Sequence, residues 1–167
     1  MHGFIYFNHG KESGPWGDKI TRLAKVGREC GFAVESLDYS GMMDPSARVQ
    51  KLLESDAAHA RPLILVGSSM GGYVATVASA SLRPVGLFLL APALYIPNFP
   101  IQEPAPHADR VALVHGWSDE LIPFENSIRY AHKFKATLHL VESDHRLSSQ
   151  LPLIAVLFQS FLDQLSD

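Results

Sequence analysis

Six short apolar runs, separated for the most part by stretches of helical periodicity, constrain this chain more than any other feature. The runs are FIYF (4–7), AVESLDY (33–39), LILV (63–66), GLFLL (86–90), VALVH (111–115) and TLHLV (137–141). Most are apolar without alternation, as expected of strands covered on both faces. Between the first two, Ile20, Leu23, Ala24 and Gly27 repeat at helical spacing, and Gly31 supplies a C-terminal stop. Asp44 caps a second helix whose first position is Pro45, and Val49, Leu52 and Leu53 continue its apolar face. Phe124, Ile128 and Ala131 line up after Pro123, and a last stripe runs through Leu151, Ile154, Ala155, Phe158, Phe161, Leu162 and Leu165. Strands alternating with helices in this way predict an α/β fold. The expected form is a three-layer, doubly wound sheet of about six parallel strands with helices on both faces.

The 167 residues suit a single domain, 1–167. One segment interrupts the alternation, APALYIPNFPIQEPAPHAD (91–109). Its five prolines exclude a regular helix or a central strand, so a short Pro-rich flap is expected there. A net charge of −3 without any basic run argues against a nucleic-acid or anionic-membrane partner. The longest apolar stretch, Pro84 to Pro97, is too short and too broken by proline for a bilayer span. The first ten residues read as an opening strand and not as a secretory leader. The single cysteine, Cys30, forms no intrachain disulfide, and a cytoplasmic protein is expected.

The run LILV ends abruptly in Gly67-Ser68-Ser69-Met70-Gly71, and small residues follow. In a parallel sheet, ligands gather beyond the carboxyl ends of the strands, and this turn stands at such an end. It fits G-x-S-x-G, the nucleophile elbow, in which a tight strand-to-helix turn lifts a serine above the sheet. The pattern arises by chance in roughly one chain in twenty of this length, so its placement between strand and helix carries the reading. A phosphate-binding loop would need a Gly-Lys-Ser/Thr sequence, and no lysine is present. Ser68, the neighbouring serine, lacks glycines two residues to either side. Ser69 is therefore the expected nucleophile, and the N–H of Met70 the expected oxyanion donor.

A serine hydroxyl needs a base, and the base needs an orienting acid. In this architecture they follow in the order Ser, Asp or Glu, His, at the ends of later strands. VALVH runs into GWSDELIP, which offers Asp119. TLHLV runs into ESDHRL, which offers His145. Glu120, Glu142 and Asp144 are rival acids, with Asp144 better suited to pointing elsewhere or capping the last helix. The loop after the first strand, NHGKESGPWGDK (8–19), is expected to supply a second oxyanion donor, the N–H of Lys11. His9 reads as a brace for that loop, and His115-Gly116 as structural.

NHG after the first strand, GSSMGG at the elbow, HGWSDELIP around the acid and SDHRL around the histidine together resemble the α/β-hydrolase superfamily. These motifs span residues 8–147, and the chain is similar to compact bacterial esterases and thioesterases with almost no cap. The resemblance implies a minimal version of the fold. It lacks the strand pair that usually precedes the first motif, and it has no large cap. It also implies Ser69 as nucleophile, Asp119 as acid, His145 as base and the Met70 and Lys11 amides as the oxyanion hole. The expected activity is hydrolysis of a small to medium carboxylic ester or thioester. A peptidase or acyltransferase of the same fold, and a non-catalytic binding protein, are the alternatives. Trp16, Trp117, Tyr95 and Phe99, with Tyr39, Met42 and Leu94, are candidates for an acyl pocket. H-E-x-x-H, C-x-x-C and G-x-G-x-x-G are all absent, so no metal or cofactor is expected, and the partner is a small acyl substrate.

Overall fold

The computed structural model describes residues 2–165. A six-stranded, wholly parallel sheet runs in the order β2-β1-β3-β4-β5-β6. Its strands are β1 (Phe4–Asn8), β2 (Ala33–Leu37), β3 (Leu63–Ser68), β4 (Gly86–Leu90), β5 (Arg110–Gly116) and β6 (Thr137–Val141). The five α-helices are α1 (Asp18–Glu29), α2 (Pro45–Glu54), α3 (Met70–Leu82), α4 (Phe124–Phe134) and α5 (Leu151–Asp163).

Residue by residue, the strands divide between two cores. Ile5, Phe7, Ile64, Val66, Phe88, Leu90 and Val114 pack with α1 and α5 on one face. Tyr6, Leu63, Leu65, Leu87, Leu89 and Leu113 pack with α2, α3 and α4 on the other. Successive side chains point to opposite faces, and both faces are covered, so the runs lack polar alternation. The second strand ends at Leu37, short of the expected residue 39. Tyr39 instead turns inward and is wholly buried. α2 begins as Asp44 and Pro45 dictate: the Asp44 carboxylate accepts from the Ser46 N–H at 3.0 Å.

The chain leaves β1 towards β2, then returns across β1 to lay down β3. This reversal opens a crevice between the carboxyl ends of β1 and β3, where doubly wound sheets bind their ligands. Asn8-His9-Gly10 leaves one side of that crevice, and Ser68-Ser69 leaves the other.

Residues 91–109, between β4 and β5, lie down on the α3 and α4 side. The Tyr73 hydroxyl accepts from the Ile101 N–H at 3.2 Å, the Tyr130 hydroxyl donates to the Pro104 carbonyl at 2.6 Å, and the Asn126 amide donates to the Leu94 carbonyl at 3.0 Å. The segment is thus tied to two helices at separate points, and the His107 N–H adds a bond to the Ser79 hydroxyl of α3 at 3.0 Å.

Among the described glycines, the one with least room stands where α3 meets β1. A Cβ on Gly71 would lie 1.9 Å from the Asn8 carbonyl oxygen and 2.7 Å from that of His9. A Cβ on Gly67 would lie 2.3 Å from the Gly71 carbonyl oxygen. Gly71→Ala is expected to cost at least about 3 kcal/mol or to prevent folding, because backbone cannot move aside as a flexible side chain can. Gly14→Ala, where nothing lies within 4 Å, should shift stability by less than about 1 kcal/mol. Thermal or denaturant unfolding of the two variants checks the contrast; equal effects would contradict it.

Candidate active site

Ser69 takes φ 55° and ψ −117° as the residue preceding α3. Positive φ is costly for a non-glycine residue and persists only where the surroundings enforce it. Here the Ser69 N–H donates to the Leu90 carbonyl at 2.9 Å, while the Ser69 carbonyl accepts from Gly72 at 2.9 Å and Ala93 at 2.9 Å. The side chain is partly exposed, whereas Ser68 is buried as the last residue of β3.

The Ser69 hydroxyl lies 3.0 Å from His145 Nε2, and His145 Nδ1 lies 2.7 Å from Asp119 Oδ2. The three residues come from the ends of β3, β5 and β6. A carboxylate can only accept, so Nδ1 carries the ring proton and Nε2 is left to accept from the serine. Asp119 has no side-chain exposure and His145 has 18 %. The loops carrying them meet because Gly116 lets β5 approach the turn after β6. A Cβ there would stand 2.2 Å from the Ser143 carbonyl oxygen, which accepts from the Ser118 N–H at 3.0 Å.

Asp119 is held from all sides. Its Oδ1 accepts from the N–H groups of Leu121 and Ile122, both at 2.9 Å, and its Oδ2 also accepts from His115 Nε2 at 3.0 Å. Burial works against the carboxylate's charge. The Ile122 N–H, His145 and the Leu121 N–H outweigh it and hold the Asp119 pKa below its usual value. The rival acids are engaged elsewhere or exposed. Asp144 accepts from the Arg146 N–H at 3.1 Å, Glu142 accepts from the Ser118 hydroxyl at 3.1 Å, and Glu120 is exposed. Lys19, in the first turn of α1, senses the Asp119 and Asp144 charges, yet burial pulls its ammonium down to about 8.

Two backbone donors border the serine. Met70 opens α3, so its N–H has no intrahelical partner, and none serves it among the described residues. The Lys11 N–H likewise has no acceptor among them. Gly10 runs beside Ser69, with its Cβ position 3.5 Å from Ser69 Cβ.

The pocket candidates separate. Trp16 and Trp117 are each 47 % exposed. The Tyr95 hydroxyl bonds Glu103 at 2.8 Å under the Arg129 guanidinium, and Phe99 packs edge-on against Tyr73. Tyr39 and Leu94 are wholly inside the core.

Sequence reasoning missed a buried polar cluster behind the first loop. The Asn8 amide donates to the Val66 carbonyl at 3.1 Å and accepts from the Tyr39 hydroxyl at 2.6 Å, and Arg48 joins it from α2. Arg48 stands four residues before Leu52, on the buried face of α2. A cation at an apolar-face position was the available signal.

The alpha/beta hydrolase family matches residues 2–163, and the chain belongs to that family. It is similar to an alpha/beta superfamily protein from Xanthomonas campestris pv. campestris, with 32 % identity, a TM-score of 0.89 and 98 % of each chain covered. Est1E from Butyrivibrio proteoclasticus shares the fold at 20 % identity and TM-score 0.76, over 97 % of this chain and 87 % of its own. An alpha/beta serine hydrolase without lid from Xanthomonas campestris does so at 20 % identity and TM-score 0.69, over 96 % and 81 %. No curated protein matches the sequence. No helix among the described residues is long and apolar enough to cross a membrane.

His115 and His9 are wholly buried. Both have pKa values lowered from 6.5, chiefly by burial. The Ile122 carbonyl and Asp119 oppose this at His115, and the Gly10 carbonyl opposes it at His9. Each binds a proton less readily folded than unfolded. Their contribution to stability is therefore present above pH 6.5 and lost as pH falls through and below it. Melting temperature should fall between a pH of about 7.5 and about 5. A flat profile over that range would contradict the neutral, buried state of both rings.

Proposed function

We propose that this chain is a serine hydrolase that cleaves a carboxylic ester or thioester of short or medium acyl chain through an acyl-enzyme. The observation that carries the proposal is the unbroken relay from the Ser69 hydroxyl through His145 to Asp119, at 3.0 and 2.7 Å. These are the distances a nucleophile and its base need in order to pass a proton.

In the proposed reaction the substrate carbonyl lies over Ser69. His145 Nε2 takes the hydroxyl proton as Oγ attacks. Asp119 keeps the imidazole in the required tautomer and offsets the charge of the imidazolium. The oxyanion rests between the N–H groups of Met70 and Lys11, neither of which has another acceptor among the described residues. His145 then protonates the leaving alkoxide or thiolate. Water, activated by the same histidine, releases the acyl group and restores Ser69.

The substrate class follows from access. Ser69 is partly exposed, and residues 91–109 are tied to α3 and α4. Such a segment suits an open site over one that closes around a long chain. Trp16 and Trp117 offer exposed apolar surface on two loops of the same sheet edge, and Tyr95 and Phe99 are proposed as the flap's contribution to the acyl wall. That a lidless serine hydrolase shares the fold is in keeping with this reading.

Ser69→Ala should remove labelling by a fluorophosphonate and turnover of p-nitrophenyl butyrate, while Ser68→Ala keeps both. Asp119→Asn should lower kcat by about three to four orders of magnitude, and Asp144→Asn by less than about threefold. Retained labelling in Ser69→Ala, or the reverse ranking of the two aspartates, would overturn the assignment.

A further inference from the structure

Arg48 is wholly buried and has no carboxylate partner among the described residues. A buried guanidinium without a counter-charge is costly, so what it holds in exchange is informative. Its Nε donates to the Met42 carbonyl at 2.8 Å. Its Nη1 donates to the His9 carbonyl at 2.8 Å and the Gly10 carbonyl at 3.2 Å. The Tyr39 ring lies 5.1 Å from the guanidinium carbon. Nη2 is buried with no partner among the described residues. Two of the three carbonyls it binds belong to the loop that passes beside Ser69.

The Gly10 carbonyl has a second donor. His9 Nε2 accepts from the Tyr39 N–H at 2.8 Å, so the ring proton sits on Nδ1, which donates to Gly10 O at 2.7 Å. A neutral imidazole satisfies both bonds at once, and burial keeps it neutral. Two buried donors thus fix where the Gly10 carbonyl points. The Gly10–Lys11 peptide is trans, and in a trans peptide the C=O and N–H point in opposite directions. Holding the carbonyl down towards Arg48 and His9 turns the Lys11 N–H up and away from them, with Gly10 passing beside Ser69.

We infer that Arg48 and His9 are positioning residues that lock the Gly10–Lys11 peptide with its N–H presented to the substrate oxyanion. This rests on the acyl-transfer reading of Ser69. Without the bracket the peptide is free to turn over, which would place a carbonyl oxygen where the oxyanion forms and remove one donor. The interaction exists only in the transition state, so its loss falls on kcat and leaves ground-state binding intact.

Arg48→Met keeps length and apolar volume but removes every donor. It should lower kcat on p-nitrophenyl butyrate by about 10- to 100-fold with KM changed less than about threefold. The affinity of a trifluoromethyl ketone, which adds to the serine and forms an oxyanion, should fall by a similar factor. Arg48→Lys, which keeps the charge on a single donor nitrogen without the guanidinium fork, should lie between. A drop in melting temperature with kcat and ketone affinity unchanged would make Arg48 a purely structural residue and overturn the inference. Amide NMR of the wild-type protein tests the same point should the variants fail to fold. Ketone addition should move the Lys11 and Met70 N–H signals downfield together, and movement of Met70 alone would refute the bracket. If the ketone neither binds nor inhibits the wild-type protein, the acyl-transfer reading fails first, and the role of Arg48 with it.

Discussion

The site depends on one backbone contact, the seating of the first turn of α3 against the carboxyl end of β1. Gly71 has no room for any side chain beside the carbonyls of Asn8 and His9. That approach sets the loop 9–11 beside Ser69. It also forces the chain between β3 and α3 to turn within a single residue, which takes the positive φ of Ser69. The strain is held by the carbonyl and N–H of Ser69 itself, tied to Leu90, Gly72 and Ala93. Ser69 is thus pinned by neighbouring backbone on three sides.

The other two members of the proposed triad are positioned differently. Asp119 and His145 lie on loops, which would ordinarily be mobile. Their precision comes from saturation. Asp119 accepts from two backbone amides and two imidazoles, and one of those, His115, is itself fixed by Ser127 at 2.7 Å and the Ile122 carbonyl at 3.0 Å. A carboxylate whose lone pairs are so fully used has little freedom to rotate, and the ring it holds inherits that order. The polar cluster of Asn8, His9, Tyr39 and Arg48 plays the same part behind the first loop. Two buried networks therefore flank the serine, one under the proton relay and one under the proposed oxyanion site.

The sheet was legible because both of its faces are covered: strands such as Leu63–Ser68 are apolar throughout and stand out from the amphipathic helices. The elbow was legible because close approach demands glycine, and glycine is visible in a sequence. The convergence of Asp119 and His145 on Ser69 was legible from their order along the chain. What stayed hidden were contacts between distant side chains. Arg48 betrays itself only by standing on the apolar face of α2, and what it binds there appears only in the fold. Tyr39 reads as the end of a strand or a pocket wall, yet it turns into the core to serve Asn8 and His9. No local pattern announces such a cluster, since its members are brought together only by the crossing of β1, β2 and α2.

In the proposed reaction Ser69 becomes covalently acylated. The direct measurement is peptide mass mapping of protein mixed with p-nitrophenyl acetate and quenched in acid within the first turnover. One acetyl group is expected, carried by the peptide that contains Ser69 and located on that residue, appearing in step with the nitrophenol burst. Release of nitrophenol with no acylated peptide, or with the acetyl group on Ser68 or another side chain, would contradict it.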